Sequence, residues 1–162
     1  QKIFYDDCIQ ICHSTNINEI FILNDKLNSV RFTENITAAK MGDIIIKLNN
    51  YNNYKNKEST LMYKDIEINI VLLKAQRDQK EFEDSCIDLC NLKKSPKNEV
   101  TMVDIFFVEG FEDSSNVKFR QENITVKQME AIIKKLAKYQ EEKKAKPTYQ
   151  GIMIDQKKLE EQ

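Results

Sequence analysis

With 162 residues, 41% of them apolar and 31% charged, the chain is long enough for one domain or two small ones and has the make-up of a soluble globular protein. Its net charge of −1 leaves no field to steer nucleic acid or an anionic membrane, and no apolar run approaches the ~20 residues of a transmembrane helix. No signal peptide is visible from Gln1 onward, so a leader removed earlier or a start inside a longer chain is expected.

Residues 3–13 read as a short helix with Phe4, Cys8, Ile11 and Cys12 on one stripe. Residues 18–24 are a strand candidate, 25–28 a polar turn, and 29–33 a second strand in which Val30 and Phe32 alternate with Arg31. Thr37 then caps a helix whose apolar face is Met41, Ile44, Ile45 and Leu48. The Asn-, Lys- and Tyr-rich stretch 51–59 reads as an exposed loop, and 62–73 as a long strand with Ile66, Ile68 and Ile70 on one side. Residues 74–92 form the second cysteine helix, stopped by Ser95-Pro96. Residues 100–108 are the most apolar strand, 110–116 a loop, and 116–120 the next strand. Thr125 and Gln128 form a capping box that opens a helix running to about residue 145, where Pro147 ends it. The rest, 147–162, is a polar tail with one apolar cluster, Ile152-Met153-Ile154; such a tail is ordered only if it leans on a partner.

Much of this is written twice. Val30-Arg31-Phe32-Thr33-Glu34-Asn35-Ile36-Thr37 returns as Val117-Lys118-Phe119-Arg120-Gln121-Glu122-Asn123-Ile124-Thr125. The following helix repeats Met41, Ile44, Ile45, Leu48 and Tyr51 as Met129, Ile132, Ile133, Leu136 and Tyr139. Upstream, Phe4, Cys8, Ile9, Ile11 and Cys12 match Phe82, Cys86, Ile87, Leu89 and Cys90, and Ile20 and Phe21 match Ile105 and Phe106. Four matched segments in one order predict a duplicated unit, with extra residues of the second copy in its connections. The expected division is 2–73 for the first repeat unit with its following strand, 74–146 for the second, and 147–162 for the C-terminal tail.

The order strand, tight turn, strand, capped amphipathic helix resembles the opening of a ubiquitin-like β-grasp unit of the kind found in Ras-binding and FERM amino-terminal lobes. The residues carrying the likeness are Ile20, Ile22, Val30, Phe32, Thr37, Ile44, Ile45 and Leu48, with Ile105, Phe107, Val117, Phe119, Thr125, Ile132, Ile133 and Leu136 in the second copy. The expected fold class is therefore α+β: two tandem α-β-β-α repeats, β-grasp-like, with pseudo-two-fold symmetry. The resemblance implies docking of proteins through strand edges.

Cys8, Cys12, Cys86 and Cys90 form twin C-x3-C pairs with three readings. They are small core residues on helix stripes. Alternatively, Cys8–Cys90 and Cys12–Cys86 disulfides clamp two antiparallel helices in an oxidising compartment, contributing roughly 4 kcal/mol in the chain-entropy model. In the third reading the four thiolates hold zinc, though the turn residues of such knuckles are missing.

Asn35-Ile36-Thr37 and Asn123-Ile124-Thr125 match the glycosylation sequon, and helix capping accounts for each Thr without a glycan. His13 is the only histidine and, as a helical neighbour of Cys12, points roughly 100° away from it. Asp65 and Glu67 share the face of the expected strand as solvated carboxylates. Nucleophile, base and oxyanion donors cannot be assembled from this set, and the three glycines lie too far apart to cradle a phosphate. Lys134, Lys135, Lys138, Lys143, Lys144 and Lys146 make the last helix basic, but Glu130, Glu141 and Glu142 interrupt it, favouring a solvated or partner-binding face over a nucleic-acid stripe.

The sequence thus predicts a non-catalytic protein-interaction or structural subunit of a larger assembly. It has no cofactor, protein partners, no nucleic acid and no membrane insertion, and intracellular placement is favoured over secretion. Its expected interaction surface is Tyr51, Tyr54, Ile152, Met153 and Ile154. The competing expectation is a secreted or organellar disulfide-stabilised binding factor.

Overall fold

The computed structural model describes residues 1–24, 26, 28–54, 61–90, 101–111 and 114–162. The fold is α+β, with every described strand in a two-stranded antiparallel hairpin. The chain divides into two compact units, Gln1–Lys80 and Glu81–Gln162.

In the first unit, helix α1 (Lys2–Cys12) and a 3-10 turn (Ile17–Glu19) lead into strands β1 (Phe21–Asn24) and β2 (Ser29–Phe32). The hairpin register pairs Phe21 with Phe32 and Leu23 with Val30. Period-two alternation puts Phe21, Val30 and Phe32 into the core and leaves Ile22 and Arg31 outside. Helix α2 (Ala38–Tyr54) opens where Thr37 Oγ1 accepts the Lys40 N–H at 3.2 Å, and it buries Met41, Ile44, Ile45 and Leu48 as its spacing requires. Phe21 and Phe32 stack at 5.5 Å, and Tyr63 tilts against Phe21 at 5.9 Å.

The long strand expected over 62–73 does not exist. Residues Met62–Tyr63 (β3) and Ile66–Glu67 (β4) pair as a tight hairpin, and helix α3 (Ile70–Cys90) follows at once. Lys64 and Asp65 both take positive φ, 48° and 67°, the conformation that lets a two-residue turn match the twist of its strands. Asn69 Oδ1 then accepts the N–H groups of Val71 and Leu72 at 2.9 and 3.3 Å, starting α3 where the alternation Ile66, Ile68, Ile70 suggested more strand. From α3, Gln76 reaches the edge of β2: its Oε1 accepts the Phe32 N–H at 2.8 Å and its Nε2 donates to the Phe32 carbonyl at 3.0 Å. The side-chain amide satisfies the backbone pair that a third strand would otherwise engage.

The division between units falls inside α3, whose later turns bury Phe82 and Cys86 in the second unit. Where the strand 100–108 is expected, Met102–Ile105 form a short helix, α4, and only Phe106–Glu109 are strand, β5. Asp104 Oδ2 accepts from the Thr101 N–H at 2.9 Å, a local bond that favours the turn over an extended start. β5 pairs with β6 (Asn116–Phe119), setting Phe106 against Phe119 at 5.5 Å. Helix α5 (Val126–Lys143) begins in the expected capping box: Gln128 N–H donates to Thr125 Oγ1 at 3.1 Å and Thr125 N–H to Gln128 Oε1 at 2.9 Å.

The region read as a polar tail is folded. Strands β7 (Thr148–Tyr149) and β8 (Ile152–Met153) turn through Gln150 and Gly151, both at positive φ, and helix α6 (Gln156–Glu160) is capped by Asp155. Tyr149, Ile154 and Leu159 are buried in the second core, so the order of this segment comes from its own unit. At its end, Gln162 Oε1 accepts the Phe119 N–H at 3.2 Å. The expected stop at Ser95-Pro96 and residues 55–59 of the expected loop lie outside the described residues.

The two helix faces are not equally closed. Ile44 and Ile132 are both fully buried, and Ile45 is buried, but Ile133 is only half-buried. Ile45→Asp is therefore expected to unfold the protein, whereas Ile133→Asp leaves it folded with a lowered melting temperature; circular dichroism with thermal melts measures both. Gln76→Ala should cost about 1–3 kcal/mol in urea unfolding, because it strands two backbone groups of Phe32.

Candidate interaction surfaces

The four cysteines are free thiols. Cys8 lies in the first core among Phe4 and its neighbours, and Cys86 in the second beside Phe82. Cys12 and Cys90 are half-buried on the same helix stripes. Of the three readings, the structure has the first: the Cys8–Cys90 and Cys12–Cys86 clamp is not formed, and each pair packs in its own unit as small hydrophobes. Burial pushes the Cys8 and Cys86 thiols far up from the ordinary range, aided by the neighbouring Cys12 and Cys90 respectively. Cys12 and Cys90 are raised as well, again by burial first. A raised thiol holds its proton at neutral pH, the opposite of the shift that activates a nucleophilic cysteine. Among the described residues, no group of three or more His, Cys, Asp or Glu is placed to hold a metal ion.

Other candidates are also relocated. Tyr51 and Tyr54 belong to the last turn of α2, not to a loop, and Tyr51 packs 6.4 Å from Phe4. Of the cluster Ile152-Met153-Ile154, Ile154 is wholly buried, Ile152 half-buried, and Met153 alone is exposed. His13 ends α1 in the left-handed conformation, φ 54°, and is exposed. Asp65 sits in the β3–β4 turn and Glu67 on β4, both exposed, so they share no strand face. Asn35 and Asn123 are exposed, and the threonine of each sequon caps its helix.

Among the described residues, each unit carries a concave surface. In the second unit, a groove of about 460 Å³ runs between α5 and α6. Ile133 and Ala137 floor it, and Glu130, Lys134, Gln156 and Glu160 rim it. This groove is why Ile133 is less buried than Ile45. In the first unit, a shallow depression of about 620 Å³ lies along the outer side of the β1–β2 hairpin. It is lined by Ile22, Leu23, Asn24, Lys26, Arg31 and Thr33, continuing to Glu34 and Asn35. Ile22 is 51% exposed there, directly across from Arg31 in the register. The signal for this surface was present in the alternation of Val30, Arg31 and Phe32, which fixes what the outer face must display. The groove on α5 has no such signal, because its other wall, α6, lies in a segment whose apolar residues are sparse.

Exposed Glu19, just before the hairpin, is held below the usual carboxylate range by the Thr15 hydroxyl and by the N–H groups of Thr15 and Asn16. Those bonds, 2.6, 2.7 and 3.2 Å long, pin the entry to β1. Among the described residues, no helix is long and apolar enough to cross a membrane. No family model matches the chain, and no curated protein or solved structure matches it either.

Thiol titration without reductant is expected to count four free thiols in denaturant. In native protein Cys12 and Cys90 should react slowly and Cys8 and Cys86 far more slowly, as burial and raised thiol pKa require. A count below four would restore the disulfide clamp.

Proposed function

We propose that this chain is a non-catalytic protein-docking subunit built from one unit used twice. Support for the duplication is the pairing of local detail. Both hairpins set two phenylalanines face to face at 5.5 Å, with a tyrosine 5.9 Å from the first. In both, a glutamine side chain engages the backbone of the second phenylalanine, Gln76 from within α3 and Gln162 from just beyond the end of α6. In both, the Ile68 N–H to Leu61 carbonyl bond and the Ile154 N–H to Pro147 carbonyl bond, each 2.9 Å, close a second two-residue hairpin. The order of hairpin, capped helix and second hairpin also suits the β-grasp resemblance.

The observation that carries docking is the outer hairpin face of the first unit. Its inner side chains are buried and its backbone is anchored by Gln76, yet Ile22 stands half uncovered over a depression on a rigid element. A concave surface that combines an exposed apolar side chain with polar and charged groups is the kind of site a partner segment fills. Four free thiols support this reading over the disulfide-stabilised alternative.

The test is size-exclusion chromatography and cross-linking of the full chain in extract of its source cells. A complex of fixed stoichiometry, cross-linked through Lys26 and lost in Ile22→Asp, is expected. A chain that elutes alone, or a complex indifferent to Ile22→Asp, would overturn the proposal.

A further inference from the structure

The outer faces of the two hairpins can be compared position by position, and their charges are handled differently. On the outer face of the second hairpin, the described cations Lys118 and Arg120 both have partners within the unit. Lys118 pairs with Glu109 across the strands at 3.3 Å. Arg120 donates to the Val103 carbonyl at 2.7 Å, lies over the Phe107 ring at 5.3 Å and approaches Glu122 at 3.8 Å. In the first unit the same register places Arg31 where Lys118 stands, but Asn24 where Glu109 stands. Ile22 takes the place of Phe107 and Thr33 that of Arg120, so nothing equivalent covers the apolar side chain. Among the described residues, Arg31 and the exposed Lys26 have no anionic partner, and both line the same depression as Ile22.

We propose that this face receives a short acidic peptide segment of a partner protein, with carboxylates on Arg31 and Lys26 and an apolar side chain against Ile22. The assignment rests on the docking reading and names the chemistry of the occupant. Arg31 offers the planar fork that grips a carboxylate through two bonds. The missing counter-ion at Asn24 leaves that fork to an outside group, where the second unit fills the position from within. A nucleic-acid strand is the poorer fit. Phosphate binding gains affinity by neutralising many phosphates, and among its described residues this face has two cations, Lys26 and Arg31, alongside Glu34. Charges at such a rim set selectivity and encounter rate more than affinity, so salt sensitivity is part of the signature.

Fluorescence anisotropy of the full chain tests this with a labelled synthetic peptide alternating Glu and Val. The controls are the same peptide with Gln for Glu, and a single-stranded oligonucleotide. Saturable binding of the acidic peptide is expected, weakened about tenfold or more by the double variant Lys26→Glu, Arg31→Glu and by added salt. Lys118→Glu should have no effect. Asn24→Glu, which supplies the internal counter-ion that Glu109 provides in the other unit, should also weaken binding while the melting curve shows a folded protein. Equal binding of the Gln peptide, tighter binding of the oligonucleotide, or an unaffected double variant would each overturn the proposal. The native complex separates the two readings. If it survives the double variant but not Ile22→Asp, docking stands and the acidic occupant falls. If the wild-type chain forms no complex, the docking reading itself has failed.

Discussion

A two-stranded hairpin is marginal by itself in water, so each unit of this chain depends on the phenylalanine pair at the foot of its hairpin. Phe21 with Phe32, and Phe106 with Phe119, are each less than about one-fiftieth exposed or close to it. A fully buried side chain of this size contributes roughly 1.5–3 kcal/mol, and stacking adds roughly 0.5–1.5 kcal/mol per pair. These rings are also the platform on which α2 and α5 set Ile44 with Leu48, and Ile132 with Leu136. Cys8 and Cys86 fill the remaining small volumes, which is where their chemistry ends.

Burying a hairpin strand raises a second demand, because its outer backbone groups must still be paired. Gln76 and Gln162 answer it at Phe32 and Phe119 with side-chain amides in place of a third strand. Among the described residues each of these sheets stops at two strands, and in the first unit the helix that carries Gln76 is tied to it. That arrangement leaves the outer face of the first hairpin uncovered by a third strand. The second unit closes its face with an ion pair and an arginine over a ring, while the first leaves Ile22, Lys26 and Arg31 to the solvent. Similar backbones with different outer residues are enough to give two units different surfaces.

Several errors of the sequence reading share a cause. Residues 62–73 looked like one strand because Ile66, Ile68 and Ile70 alternate, yet Lys64 and Asp65 adopt positive φ without a glycine to announce it. Residues 100–108 looked like one strand because they are apolar, yet Asp104 bonds locally and holds one turn of helix. Residues 147–162 read as a tail because the residues that carry its packing, Tyr149, Ile154 and Leu159 with half-buried Ile152, are too sparse a pattern to register as a face. In each case a local polar bond or a few long-range contacts outweighed the periodicity.

By itself the sequence determined the α+β class, the caps at Thr37 and Thr125, the buried stripes of α2 and α5, and the alternation that turns Arg31 outward. These follow from spacing and side-chain chemistry within a few residues, which is all that periodicity and capping require. Only the tertiary structure decided that Gln76 and Gln162 serve as strand edges, that the cysteines belong to two separate cores, and that Ile154 is buried while Ile22 is not. Those outcomes depend on residues more than forty positions apart meeting in space, as Phe32 meets Gln76, and no local pattern encodes such a meeting.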